Sequence, residues 1–388
     1  MKTNVIYCGD CRDVLRLEIP GDSIDLIYLD PPFFSNKTYE VIWGDGAEIR
    51  AFDDRWKGGI NHYIGWMEER LEHCRDTLNE TGALCLHCDY RASHYLKMSL
   101  DRLFGADHFK DEIIWHYTGG SRPKSHAPRK HNTIFRYLKG EEGVFNADEI
   151  REPYAETSGY AKGGIVSKAG KKYMPNPKGK IIDDVWEIPI INPMSKERIG
   201  YPTQKPIELL NRIIKVFSNQ GDMILDPFCG CGTTLEAAIV NDRKWIGIDV
   251  SSVACRVMKK RIERLENIAD VEIKGLPVSP KDLKKYDPFR FQDYVCKKLN
   301  GKPTERKSSD MGIDGQTLED HTPIQVKQSE RVGRNVIDNF ETAVRRKRKK
   351  TGIVVAFSFT RTAYEEVARA KGEGLEIELI TIDELFKR

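Results

Sequence analysis

Short apolar runs alternate with amphipathic stretches along the first part of the chain. Residues 4–7, Ile24–Leu29 and 83–88 are apolar runs of strand length, and residues 63–78 carry helical spacing between them. This alternation predicts βα units and therefore a parallel sheet. The pattern dissolves over residues 118–173 into Gly, Pro, Lys, Arg and aromatic residues.

Order returns after Pro206, and the composition changes once more near residue 275. Residues 131–138, 223–225 and 245–248 have the pattern of strands, and residues 207–218, Thr233–Val240 and 253–265 have that of helices. A run of glycine and prolines at Gly275, Pro277, Pro280 and Pro288 indicates a domain boundary. The pattern thus predicts a doubly wound α/β domain over residues 1–272 with an irregular insertion at 116–185, a linker at 273–287, and a smaller α/β domain over 288–388.

Composition narrows the class of protein and its partners. The chain has 388 residues, of which 31% are charged and 39% hydrophobic, and a net charge of +3. No apolar stretch is long enough for a membrane span, and no signal-peptide core precedes the first strand, so we expect a cytoplasmic protein without a membrane partner. Basic residues cluster at 122–130, 171–180 and 345–350, which is typical of phosphate-facing patches, although a solvated helix face or loop is the preferred interpretation of the last run.

The tetrapeptide Asp30-Pro31-Pro32-Phe33 directly follows the apolar run Ile24–Leu29. This places Asp30 at the carboxyl edge of a strand, where open α/β sheets bind ligands. The prolines fix the backbone and hold carbonyl oxygens outward as acceptors, and Phe33 offers a flat stacking surface. Such a group suits a planar ligand that carries an amino group, for example a nucleobase.

A second strand, turn and helix start lies at residues 225–234. Gly230 and Gly232 allow a tight turn, Thr233 and Thr234 are positioned to cap the helix, and Asp249 ends the next strand, where this fold hydrogen-bonds a ribose. The turn lacks the lysine of a triphosphate site and the last glycine of a pyrophosphate site. S-adenosylmethionine, a nucleoside without phosphates, fits better.

Three blocks together resemble the DNA amino-methyltransferases: Asp30-Pro31-Pro32-Phe33, residues 201–206 (Tyr-Pro-Thr-Gln-Lys-Pro) and residues 226–234 (Asp-Pro-Phe-Cys-Gly-Cys-Gly-Thr-Thr). Their order is similar to that of the circularly permuted β group. The resemblance implies a Rossmann-like domain that binds S-adenosylmethionine and double-stranded DNA, dimerises, and recognises its target through the insertion. The cofactor residues that it implies are Asp10, Thr203, Lys205, Asp226, Pro227, Phe228, Gly230, Gly232, Thr233 and Asp249.

The expected chemistry is direct transfer of a methyl group to an exocyclic amine. Asp30 and the Pro31 carbonyl accept hydrogen bonds from the amine, and Phe33 stacks on a base that has left the duplex. Aspartate at the first position of the tetrapeptide favours N6 of adenine in this family, within a restriction-modification system. N4 of cytosine stays open as an alternative, and an RNA or protein methyltransferase is a more distant one.

Two Cys-x-x-C pairs raise the alternative of a zinc site. They are Cys8 with Cys11 and Cys85 with Cys88. Neighbouring thiols on a strand point to opposite faces, so buried, reduced thiols are the preferred interpretation.

The last hundred residues contain a candidate nuclease site. Asp314 is followed by Gln325 and Lys327, which share one face of a predicted strand, with Asp314 at the end of the strand before it. An acid, an amide oxygen and a lysine at one point can bind Mg²⁺ and orient a water molecule. The segment resembles the Mrr-like branch of the PD-(D/E)xK nucleases, with Gln325 in place of the usual acid. The alternative is a domain that holds DNA without cutting it.

Overall fold

The structure is a computed structural model, and it describes most of the chain. The described residues are 1–388 except 36–37, 44–46, 54–55, 57, 120–122, 202, 266–270, 277–279, 305–311 and 388, and for 38–43, 47–53, 290 and 387 only the backbone is described. Pro202 of the predicted Tyr-Pro-Thr-Gln-Lys-Pro block, Arg122 of the first basic cluster and residues 277–279 of the predicted linker lie outside the described residues. The described residues divide into two compact units, Met1–Val41 with Ala51–Leu276 and Ile42–Arg50 with Pro277–Arg388.

The first unit alternates strands and helices in the order that the hydrophobic pattern predicts. Its strands are β1 (Val5–Cys8), β2 (Ile24–Leu29), the first part of β3 (Thr38–Trp43), the last part of β4 (Ala47–Asp53), β5 (Leu78–Cys88), β6 (Phe109–His116), β7 (His131–Leu138), β8 (Arg151–Glu152), β9 (Ile165–Val166), β10 (Lys172–Tyr173), β11 (Lys180–Ile181), β12 (Val185–Glu187), β13 (Met223–Asp226), β14 (Lys244–Asp249) and β15 (Glu272–Lys274). Its helices are α1 (Cys11–Glu18), α2 (Gly59–Thr77), α3 (Ser93–Phe104), α4 (Gly159–Gly163), α5 (Ile207–Phe217), α6 (Thr233–Val240) and α7 (Ser252–Glu263). The strand Ile24–Leu29 and the helix Thr233–Val240 have the predicted bounds.

A nine-stranded sheet organises this unit. Its strand order is β12-β6-β7-β5-β2-β13-β14-β1-β15. The strand β7 pairs antiparallel with both β5 and β6, whereas the other pairings are parallel. The segment 131–138 is therefore a central strand of the sheet, although it lies inside the stretch that the sequence pattern marks as an insertion.

Helices cover both faces of the sheet. Leu26 and Tyr28 of β2 pack in a core that contains buried side chains of α5, α6 and α7. Ile27 and Leu29 point to the other face and pack with α1, α2 and α3. Because successive side chains of a strand alternate between faces, one apolar run supplies both cores. This arrangement confirms the predicted doubly wound α/β class.

The second unit is built on a smaller sheet. Its elements are α8 (Pro280–Leu283), α9 (Pro288–Lys298), β16 (Gly301–Pro303), β17 (Gly315–Thr317), β18 (Pro323–Lys327), α10 (Arg334–Arg346), β19 (Thr351–Ala356), α11 (Arg361–Gly372), β20 (Glu376–Thr381) and α12 (Ile382–Lys387). The sheet order is β16-β17-β18-β19-β20, antiparallel as far as β18 and parallel from β18 to β20. One face packs against α8, α9 and α12, and the other against α10 and α11.

Among the described residues, no helix has the length and apolar character that crossing a bilayer requires.

Candidate active site

The carboxyl ends of four parallel strands place four aspartates at one edge of the large sheet. Asp30 directly follows β2, Asp226 and Asp249 are the last residues of β13 and β14, and Asp10 follows β1. The strand order reverses direction along the chain between β2 and β13, which is the position where doubly wound folds bind ligands. A cavity of about 360 Å³ opens at this edge.

Asp30 is a buried carboxylate with one strong partner. Lys205 donates a hydrogen bond to Oδ2 and lies 5.0 Å above the Phe33 ring. The other oxygen, Oδ1, is buried and has no hydrogen-bond partner in the described part of the chain. Burial raises the pKa of Asp30, and the Lys205 ammonium opposes that rise. A buried acceptor without a donor is costly in the free protein and is ready for a ligand amine.

The two prolines restrict the backbone of the tetrapeptide after Asp30. The Pro32 carbonyl accepts a hydrogen bond of 2.8 Å from the hydroxyl of Tyr63, which is a buried residue of α2. Pro31, Pro32 and Phe33 all line the cavity. The rigid segment therefore has a bond of its own to the scaffold, and its position does not depend on a ligand.

The glycine turn after β13 is closed by Asp249. The Asp249 carboxylate accepts hydrogen bonds from the backbone N–H groups of Gly230, at 2.9 Å, and Ser251, at 2.7 Å. The sequence predicts a ribose contact for Asp249; in this structure its oxygens also brace the turn. Gly230 has a φ of 54°, and a Cβ there would meet the Tyr201 ring at 3.3 Å.

The helix after the turn is not capped by threonine side chains, contrary to the sequence prediction. The N-cap of α6 is Gly232, with φ 80°, and no side chain caps the helix. Thr234 donates to Asp226 at 2.6 Å, and Thr233 accepts from Arg261 at 3.1 Å. The two hydroxyls thus bind Asp226 of β13 and Arg261 of α7 instead of the helix backbone. The spacing of residues in the sequence does not reveal these contacts.

The buried surroundings of Asp226 favour its protonated, neutral form. Asp226 is 2% exposed and accepts from the Phe228 N–H at 3.0 Å and from Thr234. Burial raises the pKa of Asp226 to about 7, although both hydrogen bonds oppose the rise. A carboxyl poised in this way gains stability when a cation enters the cavity.

The opposite end of the cavity is lined by an ion pair and aromatic rings. Arg70 binds both oxygens of Asp10, at 2.9 and 2.7 Å, and its guanidinium lies 3.8 Å above the Trp66 ring. Trp66 in turn lies 5.8 Å from Phe228. The cavity therefore combines flat apolar surfaces with four carboxylates and two cations, which suits a cationic ligand that has a planar group.

The cavity brings together nearly all of the residues predicted for methyl transfer and cofactor binding. The predicted residues that line it are Asp10, Asp30, Pro31, Pro32, Phe33, Thr203, Lys205, Asp226, Pro227, Phe228, Gly230, Thr233 and Asp249. Gly232 does not line it; a Cβ at this position would meet Met258 of α7 at 2.9 Å, so this glycine serves helix packing.

Sequence reasoning missed Tyr28, Trp66 and Arg70, which also line the cavity. Tyr28 lies inside an apolar strand pattern, and Trp66 and Arg70 lie in the helix α2, far from any motif. The spacing of Trp66 and Arg70, one helical turn apart, was the available signal for a stacked pair on one face.

A basic loop lies beside the site, next to β6 and β7. Arg129 is exposed, donates to the Tyr90 hydroxyl at 2.9 Å and lies 3.9 Å above the Tyr90 ring. Lys130, His126 and Tyr117 line a small cavity next to it. An exposed cation on an exposed ring is a suitable contact for phosphates and unstacked bases.

The structure does not support the zinc alternative. Cys8 and Cys85 pack in the core on one face of the sheet, and Cys11 and Cys88 in the core on the other. Burial raises the pKa values of Cys11 and Cys85 to about 12, so both thiols keep their protons. Thiols that face two separate cores cannot share one ion.

Among the described acidic, histidine and cysteine side chains, one trio lies close enough together for a metal. It consists of Asp338, Glu341 and Glu366. Arg334 and Arg369 pair with these acids across α10 and α11. The cations neutralise the cluster, and the arrangement joins the two helices.

The three predicted nuclease residues lie near one another in the second unit. The Asp314 carboxylate accepts a hydrogen bond of 2.7 Å from the Val326 N–H, and the Lys327 charge lowers its pKa against the larger effect of burial, which raises it. Gln325 is 2% exposed, and its Oε1 has no hydrogen-bond partner among the described residues. Asp314 directly precedes β17 and does not end a strand, contrary to the sequence prediction. Because β17 runs antiparallel to β18, the start of β17 still lies beside the later part of β18.

Comparison with known proteins agrees with this division. The family model described as DNA methylase matches residues 24–260, and the model described as restriction endonuclease matches residues 283–388. The chain is 29% identical to the DNA adenine methyltransferase YhdJ of Escherichia coli (strain K12), over 68% of this chain and 83% of that protein. It is 30% identical to the type II methyltransferase M.HpaI of Haemophilus parainfluenzae, over 76% of this chain and 85% of that enzyme. A solved PvuII DNA methyltransferase (cytosine-N4-specific) is 16% identical, with a TM-score of 0.48, over 68% of this chain and 87% of that one.

Proposed function

Because the chain belongs to the DNA methylase family of N6/N4 methyltransferases, we propose that it transfers a methyl group to N6 of adenine within a specific DNA sequence. The observation that carries the proposal is the buried Oδ1 of Asp30, which has no hydrogen-bond partner among the described residues and lies beside Pro31 and Phe33 in the cavity. Two hydrogen-bond acceptors for its N–H groups and a ring that stacks on the base are what an exocyclic amine requires of a site.

S-adenosylmethionine supplies the electrophilic methyl group when it is bound. Asp10, Asp226 and Asp249, the glycine turn, and the rings of Trp66 and Phe228 form the part of the cavity that would hold it. The surplus of carboxylates over cations in the lining suits a sulfonium. A raised pKa at Asp226, caused by burial, suits the same ligand, because a cation nearby favours the ionised carboxyl.

The exocyclic amine of a base is a poor nucleophile, because its lone pair is delocalised into the ring. Hydrogen bonds from the amine to Asp30 and the Pro31 carbonyl favour a pyramidal nitrogen with the lone pair directed at the methyl group. The nitrogen–carbon bond then forms as the carbon–sulfur bond breaks, and the amine proton leaves to solvent or to Asp30. Positioning and electrostatics provide the rate enhancement, without a covalent enzyme intermediate.

Adenine is preferred to cytosine because aspartate, and not serine, begins the tetrapeptide. The similarity to an adenine methyltransferase over most of its length supports the same choice. The experiment is to express the chain in a host without DNA methyltransferases and to sequence its DNA for modified bases. N6-methyladenine in one sequence context is the expected result; N4-methylcytosine would support the cytosine alternative, and unmodified DNA would contradict the proposal.

We further propose that the second unit cleaves DNA, using Mg²⁺ held by Asp314 and Gln325, with Lys327 beside the attacked phosphate. The match to a restriction endonuclease family supports this assignment. The donor set fits a hard cation, because Asp314 supplies a carboxylate and Gln325 a buried amide oxygen that has no partner in the described part of the chain. The ion would orient and acidify a water molecule for phosphodiester hydrolysis.

The nuclease proposal is tested by incubating the purified chain and its Lys327→Ala variant with unmodified and methylated DNA and magnesium. Cleavage by the wild type, absent in the variant while methyl transfer is unchanged, is the expected result. No cleavage of either DNA by the wild type, with methyl transfer intact, would favour a domain that holds DNA without cutting it.

A further inference from the structure

A buried polar chain runs from the basic loop to the proposed base pocket, through three strands that are distant in sequence. It consists of Asn132 on β7, His87 on β5 and Tyr28 on β2. The Tyr28 hydroxyl lies 2.7 Å from Nδ1 of His87, and Nε2 of His87 lies 3.0 Å from the side-chain nitrogen of Asn132. The ring of Tyr28 is 1% exposed, and yet the residue lines the cavity.

The direction of these hydrogen bonds follows from Asn132. Its side-chain nitrogen, which can only donate, faces Nε2 of His87, and its Oδ1 accepts from the hydroxyl of Tyr117 at 3.3 Å. His87 is fully buried, and burial lowers its pKa well below the ordinary value, so the ring is neutral and has one N–H. Since Nε2 accepts from Asn132, the proton is on Nδ1, which donates to the Tyr28 oxygen.

Tyr28 therefore keeps its own proton free for a ligand. Its hydroxyl accepts from His87 and forms no other hydrogen bond among the described residues. Burial raises its pKa well above the ordinary value, so the hydroxyl stays protonated. The same His87 Nδ1 lies 3.9 Å from Oδ1 of Asp30. A donor, Tyr28, and an acceptor, Asp30, thus lie side by side in the pocket.

We propose that Tyr28, oriented by His87 and Asn132, donates a hydrogen bond to the ring nitrogen next to the amine of the flipped base. The inference rests on the proposed methyl transfer to DNA. Adenine presents an amine beside the acceptor N1, and cytosine presents one beside the acceptor N3. Guanine and thymine present a carbonyl beside a ring N–H. The donor Tyr28 would then face a second donor, and the acceptor Asp30 would face a second acceptor.

This pair makes Tyr28 a specificity-determining residue. A flipped base is recognised through its Watson–Crick edge, and a site with a buried donor rejects a base that leaves the donor unpaired. The route through Asn132 and Tyr117 also links this donor to the loop that carries Lys130, whose carbonyl accepts from the Tyr117 N–H at 2.9 Å.

The test compares wild type with Tyr28→Phe on DNA that contains either the natural target base or its deaza analogue, in which the ring nitrogen is replaced by C–H. The duplex contains the site found by sequencing, with 1-deazaadenine, or with 3-deazacytosine if cytosine is the target. On the natural base we expect Tyr28→Phe to slow single-turnover methyl transfer about tenfold, the effect of one lost hydrogen bond. On the deaza base the two proteins should react at equal rates, and both should bind S-adenosylmethionine equally.

Equal slowing of both bases by Tyr28→Phe would overturn the inference, because that result indicates a structural role, and so would no slowing of either. If Tyr28→Phe does not fold, Asn132→Leu serves the same test: without the Asn132 donor, His87 is free to take the Tyr28 proton, and the loss should again be confined to the natural base. No methyl transfer by the wild type would overturn the proposed function, and this inference with it.

Discussion

Lys205 favours the ionised form of Asp30 against the effect of burial. It donates to Oδ2, and its charge and hydrogen bond both lower a pKa that burial raises. Buried ion pairs leave a costly lone charge when one member is removed. The carboxylate form of Asp30, the form that accepts hydrogen bonds from an amine, therefore depends on this lysine.

We predict that Lys205→Met moves the acid limb of the kcat profile to higher pH, because the Asp30 pKa rises when the ammonium is lost. The measurement is kcat against pH with saturating DNA and S-adenosylmethionine. Lys215→Met, at an exposed position of α5, is the matched control and should leave the profile unchanged. An acid limb that stays in place, or moves to lower pH, would contradict this role of Lys205.

Single residues also show where sequence reasoning reached its limit. The position of Asp30 in the cavity was predictable, since it follows an apolar run of strand length and two prolines leave few conformations for the backbone after it. Tyr28, His87 and Asn132 were not, because each lies in a strand pattern of its own and only the sheet order β7-β5-β2 brings them together. Gln325 was assigned from its spacing to Lys327, but only the folded structure shows that its Oε1 is buried without a partner among the described residues.

The glycine turn between β13 and α6 begins with a carboxyl group that is costly to ionise in the ligand-free protein. This group is Asp226, whose burial raises its pKa to about 7. Because the folded-state pKa is above that of an ordinary carboxyl, the protonated group favours folding. That contribution is complete below about pH 4 and is lost as the pH rises through about 7.

We predict that Asp226→Asn removes this pH dependence from the ligand-free protein. The amide has the same shape, can accept from the Phe228 N–H and donate to Thr234, and carries no charge to bury. At pH 8 the free energy of unfolding of the variant should exceed that of the wild type by up to about 4 kcal/mol, so the variant should unfold at a higher temperature. At pH 4 the two proteins should have similar stability. Thermal unfolding followed by circular dichroism at both pH values measures this. A variant that is less stable at pH 8 would show that the turn needs the charge.

The loop between β6 and β7 is the element most suited to hold DNA near the pocket. Arg129 is an exposed cation of this loop, stacked on Tyr90. We predict that Arg129→Gln weakens DNA binding by a similar factor for all sequences and reduces the slope of log Kd against log salt by about 1. Binding isotherms at several salt concentrations provide the measurement.

Arg16→Gln, at an exposed position of α1, is the control for that experiment and should change neither affinity nor slope. A loss confined to the methylation sequence, with the salt slope unchanged, would instead assign Arg129 to base recognition.

At the scale of the whole molecule, the two units carry two separate sets of reactive groups. The large unit has a cavity with Asp30 and the glycine turn, and the small one has Asp314, Gln325 and Lys327 on a different sheet. The class of each unit was predictable from the alternation of strands and helices. The place of β7 in the central sheet was not, because a strand inside an irregular stretch does not indicate which strands it pairs with.

A chain that modifies and cuts DNA requires that modification protects its own site. Methyl transfer must therefore come first, and Asp30 is the group that we propose to accept hydrogen bonds from the amine. We expect cofactor binding to survive the loss of Asp30, because the glycine turn and Asp249 are hydrogen-bonded to each other without it.

The most direct test follows labelled methyl groups from S-adenosylmethionine into DNA, with the wild type and the Asp30→Ala variant. Nucleosides from the digested DNA are separated and identified by mass. We predict labelled N6-methyldeoxyadenosine with the wild type and none with Asp30→Ala, while both proteins bind S-adenosylmethionine with similar affinity. Full transfer by Asp30→Ala, or no methylated base with the wild type, would contradict the account.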